Sequence, residues 1–144
     1  MITLALRTLC LLILLIPATT AMGQEVDWKT TVGQAVDTLQ HYIRFDTTNP
    51  PGDVTAAADF LQDILEREGL TVTRYEASPG KFNLFARLKG SGEAKPILLL
   101  HHMDVVPADA SRWDNVNPFG GELKDGYIWG RGAIDMKGTG VLQL

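Results

Sequence analysis

The chain has 144 residues, 45% of them hydrophobic and 21% charged, with a formal net charge of -4. That balance describes one modest globular domain and excludes a disordered or fibrous chain. The negative charge gives no electrostatic case for nucleic acid or an anionic membrane surface as partner.

The opening residues stand apart from the rest. MITLALRTLCLLILLIPATTA sets Arg7 ahead of the apolar run Leu9 to Ile16, followed by Pro17 and the small residues Ala18 to Ala21. This is the layout of a secretory signal peptide over residues 1–21, which predicts a secreted or periplasmic mature protein. The apolar run falls short of the about 20 residues that a permanent spanning helix needs, so no stable membrane span is expected after cleavage. An uncleaved signal would instead leave the protein membrane-anchored. The single cysteine, Cys10, lies inside this segment, and the mature remainder has no disulfide or thiol chemistry.

From Trp28 to Phe45 the apolar positions Trp28, Val32, Ala35, Val36, Leu39 and Ile43 recur at three- and four-residue steps, the period of an amphipathic helix. DTTNPPGD then stops it with two prolines and a glycine. A second helix follows, with Asp53 as candidate N-cap, an inner stripe of Val54, Ala57, Ala58, Leu61, Ile64 and Leu65, and Gly69 just past its end. LTVTRYEA and FNLFARLKG, on either side of the turn SPGK, alternate as strands do. GSGEAK is a flexible connector. ILLLHHMDVV is a nearly continuous apolar run, as in a strand covered on both faces. In GELKDGYIWG the pair Asp125-Gly126 predicts a tight hairpin. Two helices and then several strands predict an α/β layer fold.

The strand predicted at residues 97–106 ends in chemistry. His102 and Asp104 stand two apart, so an extended backbone points both to one side and His101 and Met103 to the other. A carboxylate beside an imidazole can fix the ring's tautomer while the other ring nitrogen binds a metal ion. A histidine simply hydrogen-bonded at a strand end is the plain alternative. Asp135, in the glycine-studded loop GRGAIDMKG, offers a second hard oxygen donor, or else a turn aspartate at a helix start. The order of Lys137, Gly138 and Thr139 does not match a phosphate-binding loop. His41 reads as a solvent-facing or edge histidine. Trp28, Trp113 and Trp129 read as core or loop anchors, with Trp113 and Phe119 the candidates for a substrate contact.

Together YIRFDTTNPPGD, HHMDVVP, WDNVNPFGGELKDGYIWGRG and DMKG resemble the co-catalytic zinc metallopeptidases and amidohydrolases. That family includes aminoacylases, carboxypeptidases of the S and G types, acetylornithine deacetylase and succinyl-diaminopimelate desuccinylase. The nearest likeness is to the carboxypeptidase-S-like branch. The resemblance implies that residues 24–144 form the N-terminal part of a three-layer α/β zinc-exopeptidase-like catalytic domain, with a mixed, largely buried sheet flanked by helices. It implies that His102 is a metal ligand, that Asp104 is the catalytic-site carboxylate orienting it, and that Asp135 bridges two zinc ions, for which cobalt or manganese could substitute. The bond after Asp135 is often cis in that family. The implied substrate is a peptide or an N-acyl amino acid, cut at its amide bond. The family's general base, its remaining ligands and its dimerisation domain lie downstream of DMKG, so a homodimer is expected only of a full-length chain. The alternative reading is a non-catalytic truncated product with weak metal binding at most.

Overall fold

The computed structural model describes residues 25–144; the signal-peptide segment and Cys10 lie outside them. Helix α1 spans Trp28–Ile43. Asp27 starts it, with a carboxylate accepting from the backbone N–H groups of Lys29 and Thr30. Its N-terminal half projects from the fold: Trp28 is 69% exposed and Val32 56% exposed. The expectation that Trp28 anchors the core is therefore corrected. The apolar period holds there, but among the described residues no packed partner covers that turn. Its C-terminal end is buried, with Tyr42 and Ile43 fully covered.

Helix α2 spans Thr55–Arg67. Asp53 caps it from just outside, accepting from the Thr55 N–H at 2.9 Å. It ends as predicted at Gly69, where φ is +80° and the Leu70 N–H returns to the Leu65 carbonyl. Tyr42, Ala57, Leu61 and Val141 form the centre of the core, with Leu39, Phe45, Phe60, Leu84 and Met103 packed around it.

Strands β1 (Val72–Ser78) and β2 (Lys81–Ala86) pair antiparallel around Ser78–Lys81. Arg74 on β1 ties this hairpin to α2 through an ion pair with Asp59 and lies 3.8 Å over the Phe82 ring. Strands β3 (Glu122–Lys124) and β4 (Tyr127–Trp129) form the second hairpin. Both loop residues, Asp125 and Gly126, have positive φ, the geometry that Asp-Gly predicts. Gln40 on α1 and Arg44 just past its end reach across to the carbonyls of Gly121 and Gly120, which fixes where this hairpin starts.

The segment Ile97–Leu100 differs from expectation. Among the described residues no ladder of hydrogen bonds joins it to a neighbour, and its four apolar side chains are 60–87% exposed. Pairing begins only at Val105, which forms a parallel bridge with Thr48. An apolar strand is covered only when sheet neighbours and helices lie on its edges and faces, and no described residue does so here. Among the described residues no helix is long and apolar enough to cross a membrane.

Candidate metal site

The bridge between Thr48 and Val105 sets the site. The Asn49 N–H donates to the Val105 carbonyl at 2.8 Å, and the Val105 N–H to the Thr47 carbonyl at 3.1 Å. The buried Thr47 hydroxyl donates to the Met103 carbonyl at 2.7 Å. The DTTNPPG loop thus lies alongside the end of the HHMDVVP segment. Beyond Asn49, the bonds Asn49–Pro50 and Pro50–Pro51 are both cis.

The alternation read from the sequence holds here. His101 turns inward, its ring edge-on to Tyr42 with centroids 6.3 Å apart, and Met103 packs on the core. Burial holds the His101 imidazole below its ordinary range. His102 and Asp104 turn the other way, into an open cleft of about 480 Å³ that Trp113, Arg131 and Asp135 also line.

The His102 ring has two different neighbours. Its Nδ1 lies 2.8 Å from the Asp104 backbone carbonyl and 3.2 Å from the Asp104 carboxylate. A carbonyl oxygen only accepts, so Nδ1 is the protonated nitrogen and donates. Asp104 is held in turn by the Asn49 side-chain amide, which donates to Oδ2 at 2.8 Å. The remaining nitrogen, Nε2, faces Asp135 Oδ1 at 3.1 Å. In a neutral ring this sets a lone pair against a carboxylate, an arrangement that is stable only with a positive charge between them. Partial burial pulls the His102 imidazole down, but the Asp104 carbonyl and the Asp135 carboxylate outweigh it and leave the ring raised overall.

The far side of the gap is built by the turn Gly132–Gly138. Gly132 has φ +83°, and a Cβ there would come within 2.5 Å of a Val105 methyl. Asp135 and Met136 leave helical conformation, and the bond between them is cis, as the resemblance implies. The chain then returns to a short helix, α3, at Thr139–Leu142. Lys137, fully buried, fastens this turn to the end of α1. Its ammonium donates to the Phe45 carbonyl at 2.7 Å and the Tyr42 carbonyl at 3.1 Å, and lies 4.9 Å over the Tyr42 ring. Burial pulls the Lys137 ammonium down to about 8, against the opposing pull of Asp46. Burial also pushes the Tyr42 phenol well above its usual range, with the Asp104 charge adding to it.

The three residues singled out in the sequence, His102, Asp104 and Asp135, therefore meet at one place. Trp113 lines the cleft, whereas Phe119 is not among its lining residues. His41 is solvent-facing and stacks on Phe60 at 4.8 Å. Sequence reasoning missed Lys137 as part of the site; it read Asn49 as a turn residue, which the family resemblance sets near the site entrance, and missed its hold on Asp104. Their only signal was membership of the NPPG and DMKG motifs.

The donor set fits a divalent cation. Two ligands of one four-coordinate zinc stand roughly 3–3.5 Å apart, and an imidazole nitrogen with a carboxylate oxygen is an ordinary pair for it. The Asp135 side chain is 88% exposed, so an ion can enter from solvent. Among the described residues no third His, Cys, Asp or Glu completes a ligand cluster.

The chain is similar to several known proteins. The model of peptidase family M20/M25/M40 matches residues 98–144. A succinyl-diaminopimelate desuccinylase from Ruegeria pomeroyi is 44% identical over 96 residues, which is 66% of this chain and 24% of that protein. Aminoacylase-1 from Sus scrofa is 36% identical over 112 residues, 76% of this chain and 27% of that protein. The chain thus spans about a quarter of the length of the curated relatives it matches. A crystal structure of human carnosine dipeptidase 1 shares the fold, with a TM-score of 0.67 over 78% of this chain and 27% of that one, at 23% identity. With its α/β fold, its motifs and these relatives, the chain belongs to the M20 family of peptidases, aminoacylases and desuccinylases.

Proposed function

We propose that this chain is the amino-terminal part, over residues 24–144, of an exported metal-dependent hydrolase that cuts amide bonds in peptides or N-acyl amino acids. One observation carries the reading: Nδ1 of His102 is committed to Asp104 while its Nε2 faces the Asp135 carboxylate at 3.1 Å. The names of the desuccinylase and aminoacylase relatives support an N-acyl amino acid as substrate. Residues 1–21 are read as the signal that directs export.

His102 and Asp135 would hold the cation, zinc in the first instance, with a second ion sharing Asp135. When bound, such an ion supplies Lewis acidity toward the scissile carbonyl and toward water. The chain's own residues do the positioning. Asp104 would keep the proton on Nδ1 and so leave Nε2 as the nitrogen that meets the cation. Asn49 holds the Asp104 carboxylate in place. Lys137 anchors the turn that carries Asp135 against α1. The open cleft admits the amide from solvent.

The test is hydrolysis by the purified full-length protein of N-acetyl and N-succinyl amino acids and dipeptides. The proposal requires activity that a chelator removes, that zinc restores, and that His102→Ala abolishes. Full activity in His102→Ala would overturn it. Export is checked by the amino-terminal sequence of the mature protein, expected to start within a few residues of Met22.

A second reading treats the 144-residue chain as it stands as non-catalytic, with one weakly held cation at most. The lack of a third ligand among the described residues and the exposure of Ile97–Leu100 favour it for this chain alone. Zinc-dependent turnover by the 144-residue chain itself would rule it out.

A further inference from the structure

The loop that supplies Asn49 is held from outside by the β1–β2 hairpin, and the contact falls on one lysine. Lys81 opens β2, and its ammonium donates to the Pro51 carbonyl. The Val54 N–H donates to the Gly80 carbonyl at 2.9 Å, which seats the hairpin turn on the same loop. Within the loop, the Gly52 N–H donates to the Thr48 carbonyl at 2.7 Å. Gly52 is buried, and a Cβ there would strike the Lys81 ammonium and come within 3.0 Å of Asn49 Oδ1. The lysine nitrogen and the asparagine oxygen therefore share one small space beside a residue that has no side chain.

Among the described residues the ion pairs are Arg74–Asp59 and the two that His102 makes, so no carboxylate pairs with Lys81. An ammonium carries three donors, and the Pro51 carbonyl takes one of them. On the other side of Asn49, Nδ2 donates to Asp104 Oδ2 at 2.8 Å. A side-chain amide can turn over and exchange its oxygen for its nitrogen, and its surroundings decide which end points where. Here one end meets a cation and the other a carboxylate. The ammonium attracts Oδ1 and repels the NH2 group, while the carboxylate does the reverse. A flipped amide would therefore be unfavourable at both ends.

We propose that Lys81 is a positioning residue for the metal site: its charge aims the Asn49 amide, and Asn49 in turn holds the Asp104 carboxylate beside His102. The last link is short, with His102 Nδ1 3.2 Å from the Asp104 carboxylate. A residue on the β1–β2 hairpin thereby sets the ring that meets the cation without touching it. The role toward a cation rests on the proposed metal-dependent activity; the link between Lys81 and Asn49 does not.

The test uses the full-length protein, first without metal and with isotope-labelled asparagine. The magnetic-resonance signal of the Asn49 side-chain amide is identified by its loss in Asn49→Ala. In Lys81→Met its protons are expected to exchange with solvent about fivefold faster than in wild type, the loss of one neutral hydrogen bond. Lys81→Arg keeps the charge and is expected to restore the slow exchange. Lys81→Gln keeps a donor for the Pro51 carbonyl and drops the charge, so it reads the same effect where the methionine variant does not fold. Unchanged exchange in the folded neutral variant overturns the inference. Zinc affinity, from competition with a chromophoric chelator, then closes a double-mutant cycle. Loss of the Lys81 charge is expected to weaken zinc about three- to tenfold, and to cost nothing further once Asn49 is alanine. A lysine that only braced the hairpin would weaken zinc equally in both backgrounds. That result, or zinc affinity unchanged by the loss of charge, overturns the positioning role. Zinc binding that is absent from wild type, or that survives His102→Ala, sinks the metal reading and leaves the exchange rates to decide the link between Lys81 and Asn49.

Discussion

Lys137 offers a quantitative handle on the turn that carries Asp135. In the folded chain burial pulls its ammonium down to about 8 from an ordinary value of 10.5. Between those values the unfolded chain holds the proton while the folded chain releases it, so stability rises as pH rises. Each pKa unit is worth about 1.4 kcal/mol, which gives a rise of roughly 2–3 kcal/mol from pH 7 to pH 10. Above about pH 10 the Tyr42 phenol works in the opposite direction, because folding raises its pKa and an unfolded tyrosine ionises first. The curve should therefore climb from pH 7.5 to 9.5 and flatten beyond. Lys137→Met removes the titration and with it the slope. It also leaves the Phe45 carbonyl without the donor it has at 2.7 Å, a loss of about 1–3 kcal/mol for a buried acceptor. Urea unfolding at fixed ionic strength, followed by tryptophan fluorescence at half-unit pH steps, measures both effects. A wild-type curve that is flat or falls between pH 8 and 9.5 would refute the argument from burial.

Further outcomes follow from single contacts. Asn49→Ala frees the Asp104 carboxylate that its amide holds at 2.8 Å, and zinc affinity measured by competition with a chromophoric chelator should fall about tenfold, as for other residues that orient a ligand. Gly121→Ala would force a side chain into φ +60° and within 2.3 Å of the Gln40 carbonyl oxygen, so thermal unfolding should show a loss of about 2 kcal/mol or more. The exposed Ile97–Leu100 run should make the isolated 144-residue chain bind the dye ANS strongly, with Leu98→Lys and Leu100→Lys together lowering the signal. Equal dye binding by wild type and the double variant would show that this run is covered.

Local patterns in the chain predicted local structure well. Three-and-four spacing placed α1 and α2, Asp-Gly placed the β3–β4 turn, and two-residue alternation put His102 and Asp104 together with His101 behind them. What escaped was long-range. Asn49 reaches a carboxylate 55 residues away, and Lys137 reaches carbonyls 92 and 95 residues away. No period or spacing encodes such pairs. The exposure of Trp28 and Val32 escaped for a related reason: periodicity marks which face of a helix is apolar, while only tertiary packing decides whether anything covers it. The same holds for Ile97–Leu100, where an apolar run predicts a covered strand and no described residue supplies the cover. Asp135 was legible by type and by its glycine setting, yet its approach to His102 depends on the packed position of Gly132 and on the anchor at Lys137.

The central claim is that one cation sits between His102 Nε2 and the Asp135 carboxylate. The most direct measurement is an anomalous-difference map at the zinc edge from crystals of the protein grown with zinc, compared with the His102→Ala variant. The account predicts a peak about 2.0–2.2 Å from both atoms, lost in the variant. A peak bound elsewhere, or the same peak surviving without the imidazole, would contradict it.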